Sequence, residues 1–490
     1  MENENIIDTF LHPKSVAVIG ASKKFAKGGY RIATNIITNN FKGKVHLINP
    51  NADGKLYDRE FKKSILDVEE EVDIAIFYVP NRLIPDILKD CVKKGVKGAI
   101  IEASGFEEVG EKGLKLTEKI REITGNFTKL RIVGPNCMGL STIDGDSDSK
   151  EKEGFFSGFA VLSTYKRGNI ALISQSGMLN GGYFMHIMTK YPNLGFRYSC
   201  SVGNKMDLSE IEFLDYCIED DTVNVIAIYL ESFKNSRKFI ELCKKARDMP
   251  NKTIILLRGG VTLQGQKATK THTGSLAENS QLIDGIVKQS GVISATSFYE
   301  LFQYARTFSL MYLSEKILPK KGNASFVAGS GGAGTITADL MVKYGLTLPL
   351  LGEKTYATLV DVFPEWMPPN DFAFVDIWPA MEKAMMNNIK PEVVTSRVYD
   401  ALINDPNIEG IFHMMFCSQQ FKFMNNLDMT IDNAKKSSKP VFFWLVGDAT
   451  EVGRISKKLA EHHLPSFPSL EEMVKNFSIL LQKSKNLNLF

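Results

Sequence analysis

The chain is poor in the residues that build covalent frameworks and metal sites. Of 490 residues, six are cysteine and seven are histidine. Cys91, Cys137, Cys200, Cys217, Cys243 and Cys417 are scattered, with no C-x-x-C pair. That excludes a disulfide scaffold or a zinc ribbon and fits reduced thiols. His462 and His463 are adjacent, and neighbours on a helix point apart, so they do not read as a ligand pair. No other cluster of histidines and carboxylates suggests a metal site. Charge of either sign is also not in excess: the formal balance is +3. Nothing electrostatic therefore points to nucleic acid or to an anionic membrane. No apolar run approaches the roughly 20 residues that span a bilayer. Met1–Asp8 is polar and acidic, unlike a secretory signal. The expectation is a cytoplasmic protein with neither membrane nor nucleic-acid partners.

The remaining composition, 44% apolar and 23% charged, is that of a folded globular protein. The length exceeds what one core supports and suggests three domains. In the first, Ser15–Ile19, Lys44–Ile48, Asp73–Val79, Gly98–Ile101 and Arg131–Val133 read as strands. Helical patterns lie between them near Tyr30–Thr38, Leu83–Lys93 and Lys112–Ile123. This rhythm predicts an α/β fold with a parallel sheet. Periodicity lapses over Ser141–Arg167, and Asp144–Glu153 has the composition of a linker. A second break falls at Pro319–Gly322. The expected domains are 1–145, 146–315 and 316–490.

The second and third domains look like copies. Gly168–Gly177 (GNIALISQSG) aligns with Gly322–Gly331 (GNASFVAGSG). Asp221–Ser232 resembles Asp405–Ser418, and Asn251–Gly259 resembles Ser438–Gly447. Two flavodoxin-like, doubly wound domains are expected after a Rossmann-like one. The copies differ where chemistry would sit. Cys417 stands roughly where the second domain has Glu231. After Gly447 the third domain runs into a helix with no counterpart of Lys270–Ala277 (KTHTGSLA). The third domain therefore reads as the non-catalytic copy. Its Trp366, Phe372, Phe374 and Trp378 read first as core.

The segment Lys270–Ala277 reads as a polar loop between an apolar strand, Thr253–Leu257, and a helical pattern. Val225–Leu230 ends in Glu231. Parallel neighbouring strands would bring Glu231 and His272 to the carboxyl edge of one sheet, where open α/β sheets place ligands. A carboxylate fixes an imidazole tautomer and sharpens its free nitrogen as a nucleophile. His272 is thus a candidate phosphoryl carrier, against the plainer reading of a loop histidine bonded to backbone. Glu231 has its own plain reading, a cap for a helix starting near Asn235.

Gly20–Gly29 (GASKKFAKGG) follows the first strand and opens a helix. Gly20 and Ser22 allow close backbone approach to phosphate, and Lys23, Lys24 and Lys27 add positive charge. Gly134–Gly139 (GPNCMG), with Gly134 and Asn136, forms a second small-residue loop on the same edge. The second strand ends in Asn49–Pro50, without the acid that binds NAD ribose hydroxyls. That disfavours a nicotinamide oxidoreductase and suits an adenosine ligand with an extra ribose phosphate.

SVAVIGAS (15–22), GPNCMG (134–139), GNIALISQSG (168–177), YLE (229–231) and THTGSLA (271–277), taken together, resemble the α subunit of the NDP-forming acyl-CoA synthetases, relatives of succinyl-CoA synthetase. The resemblance covers essentially the whole chain. It implies that the first domain binds coenzyme A. It implies interconversion of acyl-CoA, phosphate and ADP with free acid, coenzyme A and ATP, through an acyl phosphate and a phosphohistidine. His272 matches the phosphorylated residue and Glu231 the carboxylate that orients it. Ser176 and Gly177 match the helix start that holds phosphate, and Thr273 and Gly274 would complete the cradle. The family's ATP-grasp domains are absent from the sequence. A separate β subunit carrying ADP/ATP and Mg²⁺, in a heterotetramer, is the implied partner. The competing expectation is a coenzyme A-binding regulatory or scaffold protein without turnover.

Overall fold

Short apolar runs bounded by glycines and polar turns form three sheets in the computed structural model. It describes residues 5–149, 152–160, 164–191, 194–273, 280–420 and 426–487, with the side chains of 270–273 and 280–283 left out. The chain divides into two compact units, Met1–Ala305 and Arg306–Phe490.

The first sheet holds β1 (Ser15–Ile19), β2 (Lys44–Ile48), β3 (Lys55–Leu56), β4 (Arg59–Lys62), β5 (Ile74–Phe77), β6 (Gly98–Ile101) and β7 (Arg131–Val133). Their order is β3-β4-β2-β1-β5-β6-β7. Every pair is parallel except the β3–β4 hairpin at the edge. Continuous burial of β1, β5 and β6 explains why they read as unbroken apolar runs.

The second sheet holds β8 (Leu140–Ile143), β9 (Gly154–Phe156), β10 (Arg167–Ser174), β11 (Phe196–Ser201), β12 (Val225–Leu230), β13 (Thr253–Arg258) and β14 (Ile293–Ala295), in the order β14-β13-β12-β10-β11-β8-β9. The linker expected at Asp144–Glu153 is instead the connection of a hairpin. β8 pairs antiparallel with both β9 and β11. Polar composition signalled the turn; the flanking strands are only three and four residues long, too short for a periodic signal.

The third sheet lies in the second unit: β15 (Ala324–Ala328), β16 (Phe374–Asp376), β17 (Gly410–Cys417), β18 (Val441–Gly447) and β19 (Ser466–Phe467), in the order β16-β15-β17-β18-β19. Without its added hairpin, the second sheet has the same order: second strand, first, third, fourth, fifth. Both follow the flavodoxin-like winding. The third-domain aromatics divide. Phe374 stacks on Phe326 at 6.1 Å, whereas Trp366 and Trp378 are 62% and 39% exposed, so neither tryptophan is core.

The first unit shares one core across its two sheets. A single buried cluster runs from Phe10, Val16 and Val18 through Leu140 to Ile173, Leu214 and Ile228. Thr142 Oγ1 donates to the Leu11 carbonyl at 2.6 Å, and Tyr216 OH donates to Asp8 at 2.8 Å. These bonds pin the N-terminal helix Ile6–Leu11 onto the second sheet. The small-residue loops after β1 and β7 and the turn after β10 thus sit on one body.

Candidate functional site

The turn after β1 is tight for a steric reason. Gly20 has φ +86°, and a Cβ there would stand 2.4 Å from the Tyr78 carbonyl oxygen. The Ser22 hydroxyl accepts from Lys24 N–H at 3.0 Å and shapes the loop. The helix Gly28–Thr38 that follows has no side-chain cap, so its first turn is open to an anion.

Beside this turn lies a cavity of about 650 Å³ lined by Gly20, Ser22, Lys27, Asn49, Tyr78, Glu102, Ser104 and Phe159, among others. Lys27 lines it, while Lys23 and Lys24 are exposed on the adjoining loop. Asn49 donates to the Ala21 carbonyl at 2.7 Å and accepts from Asn51 N–H at 2.9 Å, so its amide is engaged in holding the turn.

Glu102 escaped the reading of the sequence. It follows β6 at the cavity wall and is 7% exposed, and neither carboxyl oxygen hydrogen-bonds a described residue. Burial pushes its pKa well above the usual carboxylate range. Phe159 lies far along the chain, so no local pattern marks this site. The sign of the pH effect follows. Above the ordinary glutamate value the unfolded chain releases the proton while the folded protein keeps it. Stability therefore falls as pH rises through the window between the two values. Glu102→Gln removes that fall. Urea midpoints of the variant should exceed wild type at pH 7 and converge with it near pH 4; parallel curves over that range would contradict the assignment.

The second small-residue loop, 134–139, joins this cavity to the second sheet. Asn136 N–H donates to the carbonyl of Ala103, which lines the cavity, at 2.9 Å. On its other side Met206 N–H donates to the Gly134 carbonyl at 2.9 Å, and Met138 N–H donates to Ser201 Oγ at 2.9 Å. The Asn136 amide meets Asn204 at 3.3 Å. Gly134 and Asn136 thus form the seam between two crevices.

At the end of β10, Ser174 Oγ accepts from Ser176 N–H at 3.1 Å and donates to the Ser176 carbonyl at 2.9 Å. Helical backbone begins at Gly177 and widens into a π turn over Leu179–Tyr183 before the helix Phe184–Lys190. Such bulges recur at functional sites. Between Ser174 and Ser176, Gln175 Oε1 accepts from Glu231 N–H at 2.9 Å and from Ser232 N–H at 3.2 Å. Gln175 thereby ties the Ser176–Gly177 turn to Glu231, a link that no spacing in the sequence reveals.

Glu231 directly follows β12, and its carboxylate accepts from Tyr229 OH at 3.2 Å. It does not cap the next helix: Asn235 does so for Ser236–Arg247, accepting from Lys238 N–H at 3.1 Å. A buried pair supports the Glu231 loop. Lys205 Nζ lies 3.1 Å from Glu210 and donates to the Ser232 carbonyl at 2.6 Å. Glu210 accepts from Lys234 N–H at 2.7 Å.

β12 and β13 run parallel with Leu230 opposite Arg258, so Glu231 and Gly259 leave the sheet side by side. The loop expected at Lys270–Thr273 is helical. The helix Leu263–Thr273 carries His272 and Thr273 in its last turn. Its two Gln, two Lys, Leu263 and Ala268 are good helix formers, and Thr262 Oγ1 accepts from Gly265 N–H at 3.0 Å at its start. It folds back over the strand ends, where a Cβ on Gly260 would stand 2.8 Å from Thr269 Oγ1. It also packs beside the short turn Glu107–Val109, next to the cavity wall. The helix that carries His272 thus passes the strand end beside which Glu231 leaves β12. The side chains of His272 and Thr273, and all of Gly274, lie outside the described residues. In the second unit, Asp448 caps the helix Ala449–Glu461 at the corresponding place.

Among the described residues no group of three or more His, Cys, Asp or Glu could hold a metal ion, and no helix is long and apolar enough to cross a membrane.

Two family models match the chain: a CoA binding domain over residues 14–142, and a succinyl-CoA ligase like flavodoxin domain over 167–308. The chain is 31% identical over 487 residues to the ADP-forming acetate–CoA ligase I subunit alpha of Pyrococcus furiosus, covering 98% of each. It is 33% identical over 443 residues to the ADP-forming acetate–CoA ligase II of Archaeoglobus fulgidus. There it covers 89% of this chain but 61% of that protein, so the chain spans about three fifths of the longer relative. Among solved structures, the dinucleotide-forming acetyl-coenzyme A synthetase 1 of Ca. Korarchaeum cryptofilum, in complex with phosphate and ADP, superposes with a TM-score of 0.84 at 27% identity. That match covers 98% of this chain and 97% of the other.

Proposed function

Because this chain belongs to the family of ADP-forming acetate–CoA ligase α subunits, we propose that it catalyses the acyl and phosphoryl half of a reversible acyl-CoA synthetase. Acyl-CoA, phosphate and ADP are interconverted with carboxylic acid, coenzyme A and ATP. A phosphate oxygen attacks the acyl carbonyl carbon and the thiolate leaves, giving an acyl phosphate. An imidazole nitrogen of His272 then attacks phosphorus, and the carboxylate leaves. The phosphoryl group finally passes from His272 to ADP. Glu231 holds the imidazole tautomer through the other ring nitrogen.

The observation that carries this reading is the seam at 134–139. One loop touches the wall of the 650 Å³ cavity and also the strand end beside the Ser176–Gly177 turn. A thioester carbonyl and a bound phosphate can then meet. The cavity suits coenzyme A: an uncapped helix start and Lys27 face its phosphates, and Tyr78, Val79, Pro80 and Phe159 give a less polar wall for the pantetheine arm. One helix terminus contributes at most about 2 kcal/mol to an anion. Thr273 and the Gly274 N–H supply further donors to phosphate.

On this reading residues 1–145 bind coenzyme A, 146–315 carry the phosphoryl group, and 316–490 form the non-catalytic copy. Gly134, Asn136, Gly20, Ser22, Lys23 and Lys24 serve coenzyme A. ADP, ATP and Mg²⁺ are held by a separate ATP-grasp β subunit in a cytoplasmic heterotetramer. The match to a whole subunit alpha, set against partial coverage of the longer relative, supports a second chain.

Incubating the purified chain with acetyl-CoA and ³²P-phosphate should give an acid-labile, base-stable protein label. ADP should discharge it to ATP only when an ATP-grasp chain is added. Coenzyme A binding without label, with or without that chain, would leave a binding protein instead of an enzyme.

A further inference from the structure

Met138 lies between Gly158, next to the cavity wall, and the helical segment that starts at Gly177. It belongs to the seam loop, and its backbone is fixed by the bond to Ser201. Its side chain lies against a helix face without side chains. A Cβ on Gly177 would stand 3.5 Å from Met138 Cβ, and one on Gly181 would stand 3.0 Å from Met138 Cε. These glycines are four residues apart, hence on one side of the helical segment that starts at Gly177. On the cavity side Met138 meets Gly158, whose Cβ would stand 2.3 Å from the Met138 carbonyl oxygen and 3.7 Å from its Cγ. Gly158 directly precedes Phe159 in the cavity wall. Asn35 holds this strap through its amide, which donates to the carbonyls of Gly158 and Ala160 at 2.7 and 2.8 Å. The thioether is thus set between the strap that precedes Phe159 and the Gly177 helix, with Gly158 on one flank, Gly177 and Gly181 on the other, and the Ala160 methyl close to the same Gly181 position.

This inference rests on the reading above, in which a thioester at the cavity must reach phosphate at Ser176–Gly177. We infer that Met138 is the specificity-determining wall of the acyl position and restricts the acid to a small unbranched aliphatic one. A flexible thioether yields to a short straight chain. It does not make room for an aromatic ring, because its own backbone is held by the bond to Ser201. Glycines 158, 177 and 181 place no side chain of their own beside it. Removing the thioether opens a space bordered by those glycines, and a larger acyl group fills it.

The test uses the ³²P-labelling reaction with acetyl-CoA, butyryl-CoA and phenylacetyl-CoA, comparing wild type, Met138→Ala and Met138→Phe. The readout is the ratio of labelling rates for the larger acyl groups to acetyl within each protein, which a loss of stability alone does not move. Met138→Ala should raise the phenylacetyl-to-acetyl ratio roughly 10- to 100-fold, the range that one or a few methylenes command in an apolar pocket. Met138→Phe should lower the butyryl-to-acetyl ratio by a comparable factor. An unchanged ratio in both variants, or phenylacetyl-CoA used by wild type as well as acetyl-CoA, overturns the assignment. If wild type takes no label from any acyl-CoA, the proposed reaction fails. Calorimetric affinities for phenylacetyl-CoA relative to acetyl-CoA then decide Met138 separately, with equal ratios in wild type and Met138→Ala rejecting it.

Discussion

His272→Ala should abolish the acid-labile label and lower the complete acyl-CoA synthetase reaction by more than about 10³-fold, the scale on which loss of a covalent nucleophile acts. The expectation comes from position and chemistry together. The helix Leu263–Thr273 passes the strand end beside which Glu231 leaves β12 and carries His272 in its last turn. No other histidine lies in that helix. Water cannot substitute, because attack by water on the acyl phosphate discards the phosphoryl group. Coenzyme A affinity, measured by calorimetry, should stay within about twofold, since the cavity is lined by other residues. Glu231→Gln should keep the label but form it more slowly, by roughly 10²-fold or more, because an amide holds the imidazole less well in the productive tautomer. Full labelling in His272→Ala would assign the phosphoryl group to another residue and remove the basis of the proposed reaction.

The second large effect is on stability. Lys205→Met should cost about 3–5 kcal/mol, because it strands Glu210, which is 0% exposed, without its cation. The damage is not confined to the pair. Lys205 Nζ also holds the Ser232 carbonyl, so the loop after Glu231 loses that tie as well, while the bond from Lys234 Nζ to the Lys205 backbone carbonyl at 2.9 Å remains. The double variant Lys205→Met/Glu210→Met should recover much of the loss, since neither charge is then buried alone. The measurement is the unfolding midpoint of the Met1–Ala305 unit in urea. Equal midpoints for Lys205→Met and wild type would show that the pair contributes little. A double variant no better than the single would point to the backbone bonds instead of the charge.

Much of the fold was legible because parallel strands covered on both faces are continuous apolar runs. β1, β2, β6 and β7 coincide with the ranges read from the sequence. The two flavodoxin-like windings followed from three short internal matches, and the strand orders agree. Short edge strands escaped notice. β3 and β4 are lysine- and arginine-rich and exposed, and β8 and β9 flank a polar turn. The Lys270–Ala277 segment read as a loop because its threonines and Gly274 weigh against helix, yet up to Thr273 it continues a helix anchored by Thr262 and by packing of Thr269 on Gly260. In the site, the glycine loops and Glu231 were visible as types in place. Glu102, Gln175, Lys205 and Met138 were not. Each owes its role to a neighbour dozens of residues away, and no local spacing records that.

The β8–β9 hairpin bears on how the chain is made. These strands leave the ribosome before β10 and β11, yet β8 pairs not only with β9 but also with β11. Until β11 emerges, the nascent chain presents an unpaired strand edge beside a sheet that has already closed. Chaperone demand should therefore peak when the first third of the polypeptide has been synthesised, and fall once Phe196–Ser201 arrives to cover that edge.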